Sequence, residues 1–201
     1  MVRAQEVEAQ LISEQIAAEL EKANGEQNSG HTESTAEELA AQVAALYGPF
    51  SPSAKGEEGL ITLENSKVRI GIARRGGRIA KAELKEYKAY GDSVSDLCLF
   101  QGEESSLNFT LITNNSRILS TENLYFTEVD QTTDTEGNTT LRMRLSTSID
   151  DCYMDMVYTL PADDYMVGMS IQPHNMQWAL AQNMSSLEMH WNQLIPQQEK
   201  G

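Results

Sequence analysis

Two different hydrophobic periods divide the chain near residue 59. Upstream, apolar residues recur at helical spacing: Val7, Leu11 and Leu20 in "EVEAQLISEQIAAELEKANG", then Leu39, Val43 and Leu46 in a second segment. The first segment has few large apolar groups and is read as a marginal, solvated helix, followed by the polar break "EQNSGHTEST". The second begins where Thr35 and Glu38 make a capping box and stops at Gly48 and Pro49. Downstream the period is two. Val68, Ile70 and Ile72 share one face of "KVRIGIA", Leu141, Met143 and Leu145 lie opposite Arg142 and Arg144, and Tyr165, Val167, Met169 and Ile171 alternate. Similar segments read at 106–112, 124–129, 152–160 and 185–191, with turn clusters "NS", "DTEGN", "PADD" and "QPHN" between them. Short strands in series without intervening helices predict an all-β fold, an antiparallel β-sandwich over 58–201, preceded by an acidic helical and flexible linker over 1–57.

Charge sharpens that division. Residues 1–58 hold 11 acidic and 3 basic side chains, a net −8 out of −15 for the chain. So acidic a protein repels a phosphate backbone, which argues against nucleic acid as a partner. Against this background Lys67, Arg69, Arg74, Arg75, Arg78, Lys81, Lys85 and Lys88 fall within 67–88 beside Glu83 and Glu86 alone, a local +6. Two readings follow: an edge strand protected by its charges, or an anion or partner contact at Arg74, Arg75, Arg78 and Lys81. Gly76 and Gly77, inside this stretch, match neither common phosphate-loop spacing and read as a turn between two strands.

No run of about 18 apolar residues occurs. Cys98 and Cys152 have no zinc spacing, so no metal or cofactor is expected, and their pairing with one another is left open. His31, His174 and His190 lie in no local catalytic pattern, and the Asp pairs 150–151 and 163–164 sit in expected turns, so no catalytic residue is assigned. Of the nine methionines, all but Met1 lie at or after residue 143, which suits core filling first and an adaptable apolar surface second. Trp178 and Trp191 are candidates for sugar stacking, which makes a carbohydrate-binding β-sandwich the alternative function.

The order of these features resembles a known family. "ITLENSKVRIGIARRGGRIAKAELKEYKAYGDSVSDLCLF", "TLPADDYMVGMSI" and "MHWNQLIPQQEKG" are similar to the periplasmic domain of the YidC-type (YidC/Oxa/Alb) membrane protein insertases, in particular to versions from the Bacteroides group. The resemblance covers roughly 59–201. It implies a galactose-mutarotase-like supersandwich in the periplasm, attached to the inner membrane by helices outside this sequence and ending short of the family's full domain. It further implies a non-catalytic interaction or positioning module that assists insertion and folding of inner-membrane proteins, with Sec translocon subunits and nascent membrane proteins as partners. In that oxidising compartment a Cys98–Cys152 disulfide would be permitted.

Overall fold

The structure, a computed structural model, describes residues 32–89, 94–102 and 105–194. The expected helix around Val7 to Leu20, His31 and the tail after Leu194 lie outside the described residues. The chain divides into two compact units, 1–48 and 49–201. In the first, helix α1 runs Thr32–Tyr47, starting three residues before the expected capping position at Thr35. It ends where Gly48 takes a left-handed φ of 54°, the conformation that turns the chain out of a helix, with Pro49 unable to continue it.

The second unit is the antiparallel β-sandwich that period two predicts. After a 3-10 turn at Gly48–Ser53 come β1 (Leu60–Glu64), β2 (Val68–Ala73), β3 (Ile79–Lys88), β4 (Asp96–Gln101), β5 (Ser105–Ile112), β6 (Ile118–Ser120), β7 (Thr127–Thr133), β8 (Thr139–Ser146), β9 (Tyr153–Leu160), β10 (Gly168–His174) and β11 (Glu188–Gln193). They form three sheets, ordered β1-β2-β3-β4, β7-β8-β9-β10 and β6-β5-β11. Two are simple meanders, in which each strand pairs with its sequence neighbour. In the third, β11 returns from the far end of the chain to lie beside β5.

Alternation translates directly into burial. On β8, Leu141, Met143 and Leu145 are fully buried while the intervening Arg142 and Arg144 are half-exposed on the other face. Phe50, Leu63, Ile72, Leu111, Leu124, Phe126, Met156, Tyr158 and Leu160 are the other large side chains that are fully buried, each such apolar group stabilising by about 1.5–3 kcal/mol relative to exposure. Met143, Met154, Met156 and Met176 belong to this core; Met166 and Met189 lie outside it. Cys98 and Cys152 are not joined by a disulfide: Cys98 Sγ donates to Phe100 O at 3.3 Å, and Cys152 is buried with its Sγ 4.0 Å from Met176 Sδ.

Three strand expectations shift, and the segment read at 185–191 becomes β11 at Glu188–Gln193. The segment read at 124–129 becomes β7 three residues later, because Thr121–Asn123 forms a 3-10 turn and Leu124 and Phe126 are core residues preceding the strand. The strand read at 165–171 starts at Gly168 and runs through Pro173 to His174, so "QPHN" is mostly strand. A proline is tolerated there because β10 is the outer strand of its sheet. Finally, β4 and the three-residue β6 had no distinct sequence signal.

The double glycine closes the β2–β3 hairpin, with Ala73 N donating to Arg78 O at 2.8 Å. Gly76 and Gly77 have φ of 79° and 63°. Their loop is also tied to the segment before β7: Gly76 N donates to Leu124 O at 2.8 Å, and Phe126 N to Arg74 O at 2.8 Å. Beneath it, the buried Tyr158 hydroxyl on β9 donates to Gly77 O. Burial holds that phenol far above its ordinary pKa, which keeps it a donor.

Candidate functional site

The basic stretch does not form an edge strand. β2 and β3, which carry most of it, are the two central strands of their sheet. Their pleat sets the outward-facing charges beside carboxylates of neighbouring strands. Glu64 on β1 meets Arg69 at 2.9 Å and Lys85 at 3.0 Å. Glu83 on β3 meets Arg69 at 3.2 Å and Lys81 at 2.8 Å. Both carboxyls are held below the usual range, Glu64 chiefly by the Lys85 hydrogen bond and Glu83 chiefly by that of Lys81. Lys67 pairs with Asp163 at 3.1 Å and Lys88 with Asp96 at 2.9 Å. The local +6 of the sequence is therefore largely neutralised by acids from elsewhere in the chain.

The four residues assigned as an anion or partner contact differ within that frame. Arg74 lies 3.6 Å from Glu128, and Arg75 reaches 4.0 Å from Glu58 while its Nε donates to Glu122 O at 3.3 Å. Lys81 is occupied by Glu83. Arg78 donates to Gly102 O at 3.0 Å and has no carboxylate partner among the described residues. The three arginines occupy one end of the hairpin around the double glycine, while Lys81 lies along β3.

Two histidine–carboxylate pairs form, both on open surface. His174 Nε2 lies 3.1 Å from Asp151 Oδ1, with Asn175 Nδ2 donating to the same carboxylate at 3.1 Å. His190 Nε2 lies 3.6 Å from Glu188 and 3.3 Å from Thr110 Oγ1. Both imidazoles are about half-exposed, and so are poorly placed to exclude water from a reaction. The described residues hold no group of three or more His, Cys, Asp or Glu able to grip a metal ion. Trp178 and Trp191 are both well exposed. The Trp178 carbonyl accepts from Asn114 Nδ2 just past one end of β5, whereas Trp191 pairs with Leu107 near the other. At strand rise these anchor points stand roughly 20 Å apart. Each indole would have to hold a sugar alone.

Sequence reasoning missed one charged cluster. On the outward face of the β7–β10 sheet, Asp155 is almost completely buried and takes a bidentate pair of bonds from Arg144, at 2.7 and 2.9 Å. Arg142 stands 3.6 Å from Asp155 and 3.6 Å from Asp130. The Arg144 guanidinium lies 3.5 Å over the Tyr153 ring, which stacks on His174 at 4.6 Å and 17°. The signal was an acid between two core methionines, Met154 and Met156, facing two arginines across one strand pair.

These features define a β-sandwich module whose surface chemistry is dominated by internal ion pairing. Residues 60–201 match the model of the YidC periplasmic domain, and the chain belongs to that family. The membrane protein insertase YidC of Parabacteroides distasonis is 38% identical over 194 residues, covering 93% of this chain and 29% of that protein. That of Azobacteroides pseudotrichonymphae is 39% identical over 160 residues, covering 80% and 25%. That of Porphyromonas gingivalis is 30% identical over 201 residues, covering 98% and 31%. The chain thus spans between a quarter and a third of the length of these relatives. No solved structure matches it. No helix among the described residues is long and apolar enough to cross a membrane.

Proposed function

We propose that residues 58–201 are a non-catalytic interaction or positioning module on the periplasmic side of the inner membrane, within a protein that assists the insertion and folding of membrane proteins. The observation that carries this reading is the match of 60–201 to the YidC periplasmic domain, together with relatives named as membrane protein insertases. Surface chemistry supports the non-catalytic part: both histidine–carboxylate pairs are open to water. Acidic residues 1–57 act as the linker to this module.

The partners are Sec translocon subunits and nascent membrane proteins, contacted through the hairpin end that carries Arg74, Arg75 and Arg78. Arg78 is the cation best placed to take a partner's carboxylate, because it has no such partner in the described part of its own chain. A lipid contact is disfavoured by a net charge of −15 facing an anionic surface.

The test is site-specific photocrosslinking in the full-length protein within native membranes, from probes at Arg78 and Lys81 and, as a control face, at Thr159. Crosslinks to Sec subunits or nascent chains from the hairpin end, absent at Thr159, are expected. Silence at the hairpin end overturns the assignment of that surface. Vesicle binding that depends on R74A/R75A/R78A replaces it with a lipid contact.

A further inference from the structure

The stretch leading into β1 is bound to the sandwich rather than strung loosely ahead of it. The 3-10 turn at Gly48–Ser53 places Phe50 in the core at 0% exposure, with Pro49 and Ser53 also buried. An aromatic side chain this deep, ahead of the first strand, fixes the point at which the chain enters the fold. Polar contacts tie the same turn to the end of β8. Ser148 N donates to Pro49 O at 2.7 Å, Ser53 Oγ donates to Ser146 O at 2.9 Å, and Ser146 N donates to Ser53 Oγ at 3.1 Å. One hydroxyl thus serves both backbone groups of Ser146.

From Ser53 onward the chain is held on and beside Tyr125. Tyr125 N donates to Ser53 O at 2.7 Å. Gly56 crosses Tyr125 so closely that an added Cβ would lie 2.6 Å from Tyr125 Cγ and closer still to its Cβ, an approach that needs glycine. The Tyr125 hydroxyl donates to Glu58 Oε1 at 2.6 Å, and Gly59 O accepts from Arg74 N at 3.0 Å. Tyr125 also forms a β-bridge with Arg75 in the hairpin, flanked by the bonds from Gly76 N to Leu124 O and from Phe126 N to Arg74 O. It is a post shared by residues 53–59 and the hairpin end.

We propose that residues 49–59 are a strap that couples the linker to the hairpin end. Pro49–Ser53 is the seated half and residues 54–59 are the crossing half. With both in place, Tyr125 is fixed, and with it Arg74 and Arg75. Lifting the crossing half removes the acceptors of Tyr125 N, of the Tyr125 hydroxyl and of Arg74 N, so the hairpin end gains freedom. The two halves are held unequally: the seated half is buried around Phe50, whereas residues 55–59 are exposed throughout. Backbone bonds with little apolar burial open at lower free energy than a core, so the crossing half opens while the sandwich stays folded. Ser53 joins the halves, its hydroxyl on Ser146 and its carbonyl on Tyr125, so loosening the seat also loosens the crossing. Movement of the linker is in this way felt at Arg74, through contiguous contacts with two arrangements. The coupling holds independently of what the hairpin end binds.

Site-resolved amide hydrogen exchange of the 201-residue chain measures it. G56A, at an exposed position outside any strand, is expected to strip protection from the Tyr125 and Arg74 amides while amides paired between β8 and β9 keep theirs. S53A, whose lost hydroxyl bonds Ser146 and not Arg74, is expected to lower protection at Ser146 and, through the strap, at Tyr125 and Arg74. An Arg74 amide as protected as in the parent in either variant overturns the coupling. A loss that extends in step to β8 and β9 overturns it too, because residues 49–59 would then open only with the whole fold.

Discussion

Replacing each glycine of the β2–β3 turn by alanine separates two costs that coincide in the sequence. At Gly76 an added Cβ would meet nothing closer than Glu122 Cα at 3.5 Å, an ordinary contact, so the change costs only the positive φ. That is about 1 kcal/mol, partly offset because alanine also restricts the unfolded chain. At Gly77 the same φ cost applies, and the Cβ would lie 2.9 Å from Met156 Sδ and 3.3 Å from the Phe126 ring. Met156 is fully buried and Phe126 nearly so, so neither has free volume to move into, and overpacking of this kind adds about 1–3 kcal/mol. G77A is therefore expected to lose about 2–4 kcal/mol and G76A less than about 1 kcal/mol. For a chain of this size the difference corresponds to a gap of roughly 5–10 °C in melting temperature. Thermal and urea unfolding followed by circular dichroism measures both. Equal losses in the two variants would refute the argument that close packing, and not conformation alone, requires the second glycine.

Three further outcomes follow from the same contacts. Y158F leaves the buried Gly77 carbonyl without its hydroxyl donor and should cost about 1–3 kcal/mol in urea unfolding; an unchanged midpoint would mean another donor takes its place. R144L strips the bidentate partner from buried Asp155 and should cost about 3 kcal/mol, with the double variant R144L/D155L recovering most of it; additivity of the two single losses would show that the pair is not coupled. Glu64 and Glu83 have folded pKa values below their ordinary value of 4.5, so the stability they contribute is present above that value and is lost as pH falls through the lowered folded values. E64Q/E83Q should flatten the acid limb of the melting-temperature profile below about pH 4.5, and a limb of unchanged steepness would assign acid unfolding to other carboxylates.

Strands buried on one face were legible because alternation is a direct imprint of burial: β2, β5, β8 and β9 fall within a residue or two of where "VRIGI", "LNFTLI", "LRMRL" and "YMDMVYTL" put them. Turns built on one residue's backbone chemistry were legible too. Asp134 Oδ1 accepts from Glu136 N and Asn138 N, and Gly137 sits at φ 87°, as "DTEGN" suggests. What escaped was set by partners distant in sequence. Pro173 reads as a turn until β10 is known to be an outer strand, and β4, half-exposed along nearly its whole length, carries no burial pattern to detect. The candidate site escaped for the same reason. A run of eight cations says nothing about the acids that β1, the loop after β9 and the start of β4 bring against it.

That pairing changes what kind of contact the basic stretch can make. An unpaired +6 would attract any anion from a Debye length away, about 8 Å at physiological salt, and would favour partners by charge rather than by shape. With Lys67, Arg69, Lys81, Lys85 and Lys88 each within 3.2 Å of a carboxylate, the long-range field is that of the whole chain, which is strongly negative. A partner reaching the hairpin end therefore gains little until it is close enough to exchange hydrogen bonds with Arg78 or to displace Glu58 from Arg75 at 4.0 Å. The exchange at Arg75 swaps one ion pair for another and that at Arg78 replaces a hydrogen bond to a backbone carbonyl, so at this exposed end both contribute geometry more than affinity. Removing Arg78 alone should consequently reduce crosslinking at the hairpin end more than removing Lys81, whose carboxylate partner on its own strand is already in place at 2.8 Å. Equal losses from the two variants would mean that the surface acts by net charge after all.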